Sequence, residues 1–168
     1  MILDGPQINP AYLGLQRHSN YRRAEFAALG FLFIGILFKL QSWEATSIIL
    51  TGSYLTIALL CLTTGYRLHY LKQYLTKSLF NAIIIGGVGA ACIVVSLYLR
   101  LNSYPYVPYF TVSGAVLLIP AVVIIYIQPV EPKSIAEIIK KAFLRRWGTL
   151  ALIASLNLAA AVSMLLNG

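Results

Sequence analysis

A chain of 168 residues that is 59% hydrophobic and only 11% charged, with a mean hydropathy of +0.78, lies far outside soluble-domain composition, where about a quarter of residues are charged. Its net charge of +8 comes from bases bunched between apolar blocks, with no aromatic-plus-basic module beside them, so nucleic-acid binding is excluded as their explanation. Two cysteines and two histidines leave little for a disulfide framework or a metal centre.

The first 23 residues are polar, carry Pro6 and Pro10, and lack the charged, apolar, small-residue order of a cleavable signal peptide. The first apolar run, 24–40, is therefore expected to act as an uncleaved signal anchor. Further apolar runs follow at 46–66, 79–99, 110–127 and 147–166. Each has about the length that a helix needs to cross a ~30 Å hydrocarbon layer. The expected fold is an all-α integral membrane protein, a five-helix transmembrane bundle forming one membrane domain over residues 1–168, with no separate globular module.

The bases alternate with the runs. Arg17, Arg22 and Arg23 precede the first, and only Lys39 edges the first loop. Arg67, Lys72 and Lys77 follow the second run, Arg100 alone follows the third, and Lys133, Lys140, Lys141, Arg145 and Arg146 precede the fifth. Short loops rich in Lys and Arg stay cytoplasmic, which places the N-terminus in the cytoplasm and the C-terminus outside.

Between the first two runs, FKLQSWEA gathers Lys39, Trp43 and Glu44. As the wet end of a hairpin, Lys39 snorkels to the headgroups, Trp43 joins an aromatic belt, and Glu44 pairs with Lys39 or opens the next helix. The other reading of the same three residues is an outer-face docking site for a second protein.

The third run carries Gly86, Gly87, Gly89, Ala90 and Ala91, and the fifth carries Ala151, Ser155, Ala159 and Ser163 at four-residue spacing. Small residues in such patterns let helix backbones approach where no hydrophobic drive exists between helices. Asn157 projects about 160° from Ala159 at ~100° per residue, so it serves a different neighbour, as packing glue or as a solute contact. Pro120 predicts a kink in the fourth run. The loop with Tyr98, Tyr104, Tyr106 and Tyr109 reads as an aromatic belt.

Ser134 and Glu137 form a capping-box signature that opens a helix. Ile135, Ile138, Ile139, Ala142, Phe143 and Trp147 recur on one face of it. Lys140, Lys141, Arg145 and Arg146 lie off that face, so residues 135–146 are expected as an interfacial helix with bases toward anionic lipid headgroups, a protein partner being the alternative.

No ionisable residue falls at mid-depth in any run, which argues against proton pumping by the chain alone. His18 and His69 are far apart and bring no HExxH or carboxylate cluster, no phosphate-binding loop appears, and Ser113 and Ser155 have no base beside them. Cys61 and Cys92 fall at different depths, which disfavours a disulfide. No catalytic, metal-binding or cofactor-binding residue is expected.

The pattern Gly35, Leu37, Phe38, Lys39, Trp43 and Gly52 resembles the N-terminal transmembrane hairpin of GldL, the inner-membrane motor protein of bacterial gliding motility and type 9 secretion. The likeness covers about residues 29–62. It implies a multi-pass protein of the bacterial inner (cytoplasmic) membrane, with Lys39 matching a lysine of the proton-driven motor. The glutamate that this lysine works with has no counterpart in TSIILTGSYLTIALLCLTTGY, so a scaffolding hairpin is expected rather than a motor.

Two functions are therefore expected as alternatives. One is a non-catalytic subunit or scaffold packing with other membrane proteins or with itself. The other is a small transporter or channel, with a path through Thr56, Asn81, Ser113 and Asn157 gated near Pro120.

Overall fold

The computed structural model describes residues 10–41, 46–132 and 134–166, with the side chains of residues 10–19, 22, 67, 70 and 157–166 outside the description. Every regular element among them is helical: α1 Pro10–Leu40, α2 Thr46–Leu62, α3 Thr64–Arg67, a 3₁₀ turn His69–Tyr74, α4 Lys77–Leu101, α5 Val107–Ile127 and α6 Ile135–Leu166. Two of these, α4 and α5, are long and apolar enough to cross a membrane, and α2 is a shorter apolar helix.

Several expected boundaries hold and others move for identifiable reasons. Helix α1 starts fourteen residues before the apolar run, at Pro10. Proline at the first helical position forfeits no bond and presets φ, so the polar segment is helical too. Helix α2 stops at Leu62 rather than 66. The chain then turns through α3 and the 3₁₀ segment, which are fixed by the buried Leu68, Leu71 and Leu75. What reads as a basic loop is thus a packed connector.

The expected interfacial helix and the run that follows it form one element: α6 runs 32 residues without interruption. No proline stands between Ser134 and Leu166 to end it, and Gly148 is tolerated inside. Ser134 caps it as expected, its Oγ accepting from Glu137 N at 3.2 Å. The Glu137 carboxylate meets Lys141 at 2.7 Å, one turn on.

The buried stripe of α6 is Ala136, Ile139, Phe143, Trp147, Ala151 and Ala154. It is rotated from the expected face: Ile138 is exposed, and Ser155 points outward while Ala154 takes the interior position. The rotation follows Trp147, whose fully buried ring fixes which side of α6 faces in.

The helices pack in series, α1 on α2, α2 on α4, α4 on α5 and α5 on α6, with α6 also returning to α4. Helix α4 is the hub. Its residues Leu79, Ile83, Ala90 and Ile93 are almost fully buried. Helix α5 is only 33% buried over its most apolar 18-residue stretch, and Pro120 lies on its exposed side within a continuous helix.

Candidate functional site

The small-residue face of α4 is used within the chain. A Cβ at Gly89 would lie 2.6 Å from Leu118 N and 3.0 Å from Gly114 O, so α4 and α5 cross backbone against backbone. A Cβ at Gly87 would meet Cys61 O of α2 at 2.7 Å. At Gly86 it would enter the Trp147 ring, with Cε3 at 2.7 Å. Three neighbouring glycines thus seat α5, α2 and α6 around α4. Gly86, Gly87 and Ala90 are all buried in α4. Gly114, the partner of Gly89, is the residue the pattern misses, because one glycine in α5 makes no repeat.

Ala151 is buried in α6 as expected, and Ser155 is exposed, with its hydroxyl donating to Ala151 O at 2.9 Å. Asn157, Ala159 and Ser163 have side chains outside the described set, as do Trp43 and Glu44 entirely. The packing of Trp147 is tight: Phe143 lies tilted beside it at 4.6 Å between centroids, and its Nε1–H has no acceptor among the described residues.

The bases have particular partners. Lys39 Nζ donates to Leu101 O at 2.5 Å and to Asn102 Oδ1 at 3.5 Å. Leu101 is the last residue of α4, where carbonyls are left without intrahelical donors. Ser103, at φ 58°, turns the chain so that Tyr104 N reaches Leu99 O at 2.9 Å and Ser103 N reaches Arg100 O at 3.1 Å. Asn102 covers Tyr98 O from both its backbone and its side-chain nitrogens. This is a Schellman closure with serine in the usual glycine place, and Lys39 covers the fourth carbonyl, that of Leu101. The ammonium also meets the negative end of the helix dipole.

Lys140 does the same for α5, donating to Tyr126 O at 2.9 Å and Gln128 O at 2.6 Å. The expectation that Lys140 faces lipid headgroups is corrected: it is turned onto a helix end because those carbonyls need a donor. Arg146 is corrected likewise. Its Nη1 meets Glu25 Oε1 of α1 at 2.6 Å, and Nη2 lies 3.7 Å from Cys61 Sγ of α2. With Glu25 only 13% and Arg146 25% exposed, the guanidinium ties three helices together. Lys141 and Arg145 remain on the outer face. Sequence reading passed over Glu25; its signal is an isolated acid at the entrance of an apolar run.

The two glycines of the hairpin pattern have different surroundings. A Cβ at Gly35 would meet Leu50 and Ile49 of α2 within 3.2 Å, whereas one at Gly52 would meet nothing within 4 Å. Thr56, Asn81 and Ser113 all lie on exposed faces and share no interior path. Tyr98 bonds Thr51 through its hydroxyl at 2.9 Å and packs on Tyr54, while Tyr104, Tyr106 and Tyr109 are exposed. Cys61 and Cys92 are not joined by a disulfide. Among the described residues no group of His, Cys, Asp and Glu has the placement to hold a metal ion.

Comparison of the chain with protein-family models, with curated proteins and with solved structures gives no match.

Proposed function

We propose that this chain is a five-span protein of the bacterial inner membrane that serves as a non-catalytic subunit or scaffold, with its N-terminus in the cytoplasm. The observation that carries the membrane reading is the outer surface. Phe26, Leu29, Phe31 and Phe33 of α1, Ile48, Leu55 and Leu59 of α2, and Val112, Val116 and Val123 of α5 are all exposed. A helix as apolar as α5 with two thirds of that stretch uncovered is unlike the core helix of a water-soluble protein, and it suits a hydrocarbon solvent.

The scaffold reading draws on where the hydroxyls turn. Ser53, Thr56, Ser96, Thr111 and Thr149 each donate to a carbonyl three or four residues back in their own helix. Hydroxyls satisfied in this way are withdrawn from a solute path, and lipid-facing helices tolerate them. The bonded helix ends and the interlocked glycines support a body built for packing. The resemblance of the α1–α2 hairpin to GldL agrees with a place beside other membrane subunits.

Topology and company are measured together. Single cysteines at Tyr106 and Glu131, both exposed, should label from opposite sides of the membrane with an impermeant maleimide. Purification in mild detergent should yield stoichiometric partner subunits. Labelling of both positions from one side removes the five-span reading. A solitary protein with measurable conductance in planar bilayers removes the scaffold reading in favour of transport.

A further inference from the structure

From Tyr21 to Gly35, helix α1 is attached along one narrow line. Tyr21, Glu25, Ala28, Leu32, Gly35, Ile36, Phe38 and Lys39 are buried or half-buried, whereas Phe26, Leu29, Phe33, Ile34 and Leu37 are exposed. At ~100° per residue the attached side chains from Tyr21 to Gly35 span an arc of about 80°, and Ile36 and Phe38 widen it to about 160° at the far end of the helix, so around Glu25 the attachment is narrower than the ≳100° stripe of a helix embedded in a core. That arc faces α2 and the 3₁₀ turn. Toward α6, Arg146 stands one residue off the buried stripe of that helix and reaches Glu25.

The same guanidinium lies over Cys61, which is 1% exposed, beside the Gly87 contact with Cys61 O. We propose that Glu25–Arg146 is a latch on a lateral seam between the first and last helices, and that breaking it parts α1 from α6 and uncovers Cys61 at the α2–α4 contact. Apolar helices with little mutual packing are held by such a polar contact, because each charge loses its partner when they separate. The interior contacts of α4 with α5 do not involve the latch, so the hub stays folded while the seam opens. The inference stands on these contacts and does not require the assembly reading above.

Cys61 is a built-in reporter. In the full-length protein in mild detergent, alkylation by N-ethylmaleimide is followed for Cys61 in a Cys92→Ala background, and for Cys92 in a Cys61→Ala background. Glu25→Gln leaves the thiol's own contacts in place while removing the charge that holds Arg146. It should speed Cys61 alkylation ~10-fold or more, since reaction of a buried thiol tracks the population of the opened state. The rate at Cys92 should not move, and Glu25→Asp, which keeps the charge, should stay near the parent at both. An unchanged Cys61 rate in Glu25→Gln overturns the latch. Equal acceleration at both cysteines overturns it too, because the pair is then a strut of the whole fold and no local seam exists.

Discussion

Gly89→Ala adds one methyl group at the point where α4 and α5 come closest. The new Cβ would stand 2.6 Å from Leu118 N, where ordinary contact begins near 3.4 Å, so the two helices would have to part by about 0.8 Å. No side-chain rotation relieves this, because the atoms met are Leu118 N, Gly114 O and Leu117 Cβ. Overpacking of this kind costs about 1–3 kcal/mol, and here it also loosens the dispersion contacts on either side of the crossing. Alanine's better helix propensity returns at most about 1 kcal/mol. The net expectation is a loss of roughly 1–2 kcal/mol. Gly52→Ala is the matched control: it is also interior to a helix, nothing lies within 4 Å of its Cβ, and it should gain up to about 1 kcal/mol. Both are read by equilibrium unfolding in mixed micelles at rising denaturing-detergent fraction. If Gly89→Ala equals or exceeds the parent, as Gly52→Ala should, the close crossing is not what holds α4 to α5.

Ser103→Gly should stabilise the end of α4 by about 0.5–1 kcal/mol, because φ 58° suits glycine better than serine; a loss of stability in the same unfolding assay would contradict the Schellman assignment. Lys39→Gln should leave the protein folded but cost about 1 kcal/mol through the charged bond to Leu101 O, and a Lys39→Gln protein as stable as the parent would return Lys39 to a snorkelling role. Trp147→Ala should be the most damaging single change in α6, at about 3–5 kcal/mol, since it empties the space between Gly86 and Phe143; a cost below 1 kcal/mol would mean the ring is not the anchor of α6.

What the sequence made legible is local. The start of α2 at Thr46, the end of α5 at Ile127 and the Ser134 cap follow from apolar runs and capping chemistry that act within a few residues. The small-residue face of α4 was legible because repeated glycines in an apolar helix have few other uses. The partners of Lys39, Lys140 and Arg146 were not, since a base at the edge of an apolar run reads the same whether it meets a headgroup or a carbonyl. Those partners lie 62, 14 and 121 residues away in sequence, and only the packing order of the helices brings them near. The connector after α2 sits between these cases. Leu68, Leu71 and Leu75 already carry a helical spacing, but the bases among them drew the reading toward a loop.

The ion pair between α1 and α6 also sets a clock on synthesis. Glu25 emerges with the first helix, and Arg146 follows 121 residues later. At about 5–20 residues per second, the acid waits on the order of 10 s for its base. Throughout that interval the α1–α2 hairpin exists with a carboxylate at its edge and without the guanidinium of Arg146. The nascent chain is therefore chemically distinguishable from the finished one at that residue, and only a ribosome that has passed Arg146 can erase the difference.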